Sequence, residues 1–216
     1  MRLIFSNRYY MYIELIIIGL IIPSIILINR LADNILLILW AITSYTLIVY
    51  IFFHKKEKFR EVLNFSSFTT NNLIIIFVRW FFLSLLIFII TFYFYNDKLF
   101  IIQKENPYLL FIIFFIYPFL SALPQEFIFT TFLFSRYKNL INQKYIIYMS
   151  AFLFMFAHVL FINFIAPFLS IFGGIIFART YMKTKSLALV TLEHALYGNT
   201  LFFMGLGYYF WGGSVN

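Results

Sequence analysis

Apolar runs over residues 9–29, 34–53, 73–95, 107–134, 145–165, 166–177 and 186–208 follow one another along this 216-residue chain, separated by short polar connections. Most reach the 17–25 residues that a helix needs to cross about 30 Å of hydrocarbon. Inside a bilayer each backbone N–H and C=O must be satisfied within the protein, and a helix does this within one segment. Only 11% of the residues are charged and 63% are hydrophobic, whereas a soluble domain carries about a quarter of its residues charged. The expectation is an all-α fold, a polytopic transmembrane helix bundle of about seven spans. The net charge of +8 would suggest nucleic acid in a soluble protein, but here the partner of the cations is the bilayer surface and no nucleic acid is expected. The absence of cysteine excludes disulfides and thiolate chemistry.

The basic start and following apolar run resemble a signal peptide, yet no small-residue cleavage site follows, so a retained first helix is expected. Pro124 lies inside the fourth run and predicts a kink. The sixth run is short and begins beside Pro167. In the polar stretch 54–72, Phe59, Val62, Leu63 and Phe65 fit a short interfacial helix. The Lys and Arg positions test this topology through the positive-inside rule. With the N-terminus in the cytoplasm, Arg2, Arg8, Lys55, Lys56, Lys58, Arg60, Arg136, Lys138, Lys144, Arg179, Lys183 and Lys185 fall inside, while Arg30, Lys98 and Lys104 fall outside. Tyr208, Tyr209, Phe210 and Trp211 then form an aromatic belt at the outer surface. A bacterial cytoplasmic membrane is the expected location.

An ionisable group near the bilayer centre costs a few kcal/mol or more and marks a functional candidate. Glu14, Arg79, Glu126, His158, Glu193 and His194 are such groups. At about 1.5 Å per helical residue, Glu126 lies roughly 14 Å deep, His194 roughly 12 Å and His158 roughly 20 Å. Three helices thus bring a carboxyl group and two imidazoles to one slab of membrane. Each alone has a plain structural reading, since an intramembrane histidine can simply bond a neighbouring carbonyl. Glu14 sits near the inner surface and reads as structural. Arg79 can snorkel or pair with Glu126 or Glu193. Glu193 and His194 are neighbours and point about 100° apart around a helix, so they cannot both face one site.

Three patterns in order on separate helices carry a resemblance: Pro124-Gln125-Glu126-Phe127-Ile128-Phe129-Thr130, then Phe154-Met155-Phe156-Ala157-His158, then Glu193-His194-Ala195-Leu196-Tyr197-Gly198-Asn199. They are similar to the Glu-Glu-x-x-x-Arg, Phe-x-x-x-His and His-x-x-x-Asn motifs of the CPBP intramembrane proteases, which include CAAX prenyl proteases and bacteriocin-processing proteins. The resemblance implies an endopeptidase that hydrolyses a peptide bond of a membrane-embedded or prenylated substrate with a glutamate-activated water. It implies one integral membrane domain over 1–216, with scaffold helices in 1–106 and the motif-bearing core in 107–216. On this basis the catalytic candidates are Glu126 as base, His158 as its partner, and His194 with Asn199 as oxyanion donors. Gln125, Thr130, Phe154, Glu193 and Arg79 are supporting candidates. A carboxylate in a dry pocket can serve as general base, and donors aimed at a forming oxyanion supply a large share of catalysis.

The sequence departs from the motifs at three places. Gln125 stands where the first Glu, the base, is expected, so Glu126 aligns with the second. Thr130 stands where Arg is expected. Asn199 is five residues after His194 instead of four, about 140° away around an ideal helix, unless Gly198 allows a local π-bulge. Two alternatives follow: a catalytically silent relative that binds a peptide or partner protein, and a proton-linked transporter built on the Glu/His cluster. No cofactor is expected. Glu126, His158 and His194 match the ligand count of a catalytic zinc site, which leaves a divalent metal open.

Overall fold

The computed structural model describes residues 7–54 and 59–211, which form helices and turns with no strand among them. In chain order the helices are α1 (Arg8–Ile28), α2 (Ala32–Phe53), the short α3 (Phe59–Leu63), α4 (Thr70–Phe94), the short α5 (Ile101–Glu105), α6 (Pro107–Arg136), α7 (Gln143–Phe161), α8 (Ile165–Thr184) and α9 (Leu187–Met204). Each of the seven apolar runs becomes a helix. Among the described residues six helices, all of the long ones except α9, are long and apolar enough to cross a membrane. The exception has a physical reason. Helix α9 carries Thr191, Glu193, His194, Asn199 and Thr200, and it packs against α4, α6 and α8, so protein and not lipid surrounds these polar groups. Arg2, Lys55, Lys56 and Lys58 of the expected inner-side set lie outside the described residues.

Helix α8 is longer than its apolar run. It continues through Arg179, Thr180 and Lys183 to Thr184, because hydropathy reads only the lipid-facing length whereas a helix can run on into a polar region. Pro167 costs it nothing, since the first-turn N–H groups have no intrahelical partner.

The prolines shape the two helices that hold the site together. Helix α1 passes through a π-helical turn at Ile17–Ile21 just before Pro23. Helix α6 has two such turns, Pro118–Ala122 and Phe127–Phe132, on either side of Leu123–Glu126. Pro124 has no N–H to offer the Leu120 carbonyl one turn earlier, and the Trp40 indole of α2 donates to that carbonyl instead, at 3.0 Å. The expected kink is thus realised as a change of winding secured by a neighbouring helix.

Helices α7 and α8 approach closely at Gly174, where a Cβ would lie 2.8 Å from the Ala151 Cα. A small residue there lets two backbones meet, as in many membrane helix pairs. Helix α1 is tied to the end of α6 by a buried ion pair, Glu14 Oε2 to Arg136 Nε at 2.7 Å. The hydroxyls of Tyr45 and Tyr137 donate to the same carboxylate at 2.7 and 3.1 Å, the structural role expected of Glu14. The short helix α3 forms as expected, with Val62 buried. It holds the α8–α9 turn: Asn64 and Ser67 donate to the Thr184 carbonyl at 2.9 and 3.0 Å, and Ser186 donates to the Leu63 carbonyl at 2.8 Å. At the other end Phe210 departs from the expected surface belt, since its ring folds back to 5.7 Å from that of His158.

Candidate active site

The residue at the centre is Glu126, placed on the short stretch between the two π-helical turns of α6 and only 1% exposed. Its Oε1 lies 2.8 Å from Nδ1 of His194 on α9, a hydrogen bond between the two side chains. Its Oε2 is buried without a partner among the described residues. Thr130, also buried, turns its hydroxyl back to the Glu126 carbonyl. It therefore closes the helix on itself, where the resemblance expects a cation.

His194 is held on all sides. Its ring stacks on Phe177 of α8 with centroids 4.6 Å apart and planes 15° apart, and it meets Phe154 and Tyr117 edge to face at 5.5 and 5.9 Å. In the tautomer whose Nδ1–H donates to the Glu126 carboxylate, Nε2 is left as the acceptor nitrogen.

His158 lies just past the regular part of α7, which ends at Phe156. Its Nδ1–H donates to the Phe154 carbonyl at 2.7 Å, which again leaves Nε2 as the acceptor. Its hydrogen bond does not go to Glu126, the partner expected from the sequence. Phe154 packs against both imidazoles, with ring centroids 4.6 Å from His158 and 5.5 Å from His194.

Asn199 does not join His194. Helix α9 runs from Leu187 to Met204 without a bulge, so the offset of five residues keeps its angular separation. The amide donates to the Phe114 carbonyl at 3.4 Å. Gly198 serves packing instead of unwinding: a Cβ there would overlap the Tyr117 hydroxyl.

Gln125, His158 and His194 line a cavity of about 1040 Å³ enclosed mainly by aliphatic and aromatic side chains of α2, α4, α6, α8 and α9. Glu126 is not part of its wall and lies behind His194. Gln125 donates one amide hydrogen to Ser121 at 2.8 Å, and its carbonyl oxygen has no partner among the described residues. The cavity thus presents an amide and two imidazoles, with the carboxyl group one bond further back. Among the described residues no group of three or more His, Asp or Glu side chains that could hold a metal ion is found.

Residues 107–200 match the family model of the Rce1-like type II CAAX prenyl endopeptidases. The match supports the likeness of this segment to the CPBP intramembrane proteases. No curated protein and no solved structure matches the chain. The CPBP segment spans α6 to α9 and includes all three motifs, while Glu14 and Arg79 lie outside it. With its membrane-capable helices and this family, the protein is an integral membrane protein, and the family suggests endopeptidase activity within the membrane.

Arg79 of α4 pairs with Glu193, Nη2 to Oε1 at 2.8 Å, and not with Glu126. Glu193 and His194 face different neighbours, as adjacent helical positions must. Phe177, Tyr117, Tyr197 and Thr180 also belong to the site's surroundings and stood out in no motif. Tyr197 donates to Glu193 at 2.9 Å from one turn away, so its i, i+4 spacing was a usable signal. Phe177 and Tyr117 had none, since aromatics in apolar runs look alike.

Proposed function

We propose that this chain is an intramembrane endopeptidase in which the Glu126–His194 pair activates water for attack on a peptide bond bound in the cavity. The observation that carries this reading is the 2.8 Å hydrogen bond joining the first motif to the third, buried directly behind the cavity wall. In this arrangement His194 Nε2 takes a proton from water as the water oxygen bonds to the scissile carbonyl carbon. Glu126 accepts from Nδ1–H throughout and balances the imidazolium charge, the role a buried carboxylate plays behind a catalytic histidine. The proton then passes to the leaving nitrogen as the C–N bond breaks. Gln125 cannot take a proton, but its second amide hydrogen can donate to the tetrahedral oxyanion, and His158 offers a second cavity-facing imidazole. The apolar cavity suits a membrane-embedded or prenylated peptide or protein. The Lys and Arg distribution supports a cytoplasmic N-terminus.

A second reading has its own observation. The cavity wall presents Gln125 where the family places an acid, and the Glu126 carboxyl does not reach that wall; a silent relative that binds a peptide without cutting it would be built in this way. One experiment separates the two. Purified protein in detergent is incubated with a prenylated peptide and with an unmodified apolar peptide, and products are read by mass spectrometry. Cleavage by the wild type that falls about 10²–10⁴-fold in Glu126→Gln and His194→Ala supports the protease, since a general base contributes about that much. Binding without cleavage in the wild type, with cleavage appearing in Gln125→Glu, establishes the silent relative instead.

A further inference from the structure

Glu193 is 0% exposed, and its carboxylate bonds side chains of three helices. Its Oε1 is 2.8 Å from Arg79 Nη2 of α4 and accepts from the Tyr197 hydroxyl of its own helix at 2.9 Å. Its Oε2 accepts from the Thr180 hydroxyl of α8 at 2.6 Å, and Arg79 Nη2 donates to that same Thr180 oxygen at 3.1 Å. The two helices on this side of α9 are therefore joined to it through one carboxylate. The next residue is His194, whose ring leaves the helix about 100° further round and meets Glu126 on α6. Side-chain tips lie about 5–6 Å from a helix axis, so a rotation of α9 by only about 20° moves the imidazole by about 2 Å. That is enough to break a 2.8 Å bond.

We propose that Arg79 is a positioning residue for the reaction: through Glu193 it sets the rotation of α9 that turns His194 onto Glu126. The proposal rests on the reading of His194 as the base, and it gives the chain outside the CPBP segment a share in the site. Other buried groups carry less. The Glu14–Arg136 pair ties the end of α6 to α1. Among the described residues Arg79 connects α4 by an ionic contact to the helix that holds the catalytic histidine.

The chain has three histidines, His54, His158 and His194, so the imidazole nitrogens of ¹⁵N-histidine-labelled protein can be assigned by removing each in turn. In Arg79→Gln the His194 Nδ1–H resonance is expected to shift or exchange away, and turnover to fall about 100-fold with little change in KM, because small misplacements of a catalytic group cost about that much. Arg79→Lys, which keeps a charge but not the fork, is expected to recover part of both. Glu14→Gln removes a second buried ion pair and serves as the control: it is expected to lower thermal stability and leave the His194 signal and KM unmoved. Should Arg79→Gln not fold, Thr180→Val removes one limb of the same clamp and is read in the same way. A folded clamp variant whose His194 signal matches wild type overturns the proposal. The histidine signal decides the clamp whether or not any peptide is cleaved, and the cleavage assay decides the proposed function.

Discussion

At the scale of single residues the site is organised by which group faces the cavity and which stands behind it. Gln125 and Glu126 are adjacent on α6, and only the amide reaches the wall, whereas the carboxyl is spent on His194. This arrangement gives Asn199 no catalytic task. Removing a true oxyanion donor costs about 10²–10³ in turnover, but Asn199 bonds the Phe114 carbonyl on the far side of α9. Asn199→Ala is therefore expected to hold turnover within about twofold of wild type, measured with whichever peptide the wild type cleaves. A 100-fold loss would move Asn199 back into the site. The membrane-buried ionisable groups were legible in the sequence because hydrocarbon makes every such group conspicuous. Their pairing was not. Sequence supplies depth along each helix, and depth put Glu126 and His194 level, with His158 some 6–8 Å further along. It says nothing of the angle at which two helices face one another, and that angle gave Glu126 to His194 and left Phe154 between the two imidazoles.

At the scale of elements, apolar length located every long helix, and it failed where helix and hydrocarbon part company. Helix α8 runs past its apolar run to Thr184, and α9 is too polar to look like a span because its neighbours shield it. The kink in α6 was legible from Pro124, but the two π-helical turns were not, and neither was the Trp40 hydrogen bond to the Leu120 carbonyl 80 residues along the chain. The close contact of α7 with α8 also turns on one position. Valine at Gly174 would put its Cβ 2.8 Å from the Ala151 Cα, a backbone atom that cannot swing aside. Gly174→Val is expected to destabilise the protein by about 1–3 kcal/mol, the usual cost of overpacking. It should also loosen Phe177, which lies one turn along α8 and stacks on His194. Thermal unfolding in detergent measures the first effect and the cleavage assay the second. Unchanged stability would mean that α7 and α8 do not meet at this glycine.

At the scale of the whole molecule, the bilayer orders what the helices alone leave open. The expected seven spans would put the start of α1 and the end of α9 on opposite sides, and Lys and Arg would decide which of them is inside, because cationic loops are retained on the cytoplasmic face. On the proposed orientation the α6–α7 turn, with Arg136, Lys138 and Lys144, is cytoplasmic, and the α4–α6 connection, with Lys98 and Lys104, is external. A chain without cysteine permits a clean test. In intact bacterial cells a membrane-impermeant maleimide is expected to label Lys104→Cys and to spare Lys138→Cys until the membrane is opened. Both positions are in connections outside the spans, so neither substitution disturbs the bundle. The opposite pattern would invert the molecule and place the α8–α9 turn outside. The cation count of the loops would then have to yield to some stronger determinant of insertion. Labelling of both residues in intact cells would mean that an odd number of crossings does not separate them, and α6 would have to enter and leave on one side. The buried Glu14–Arg136 pair argues against that outcome, since it fixes the end of α6 beside the start of α1, at the face where Arg8 also lies.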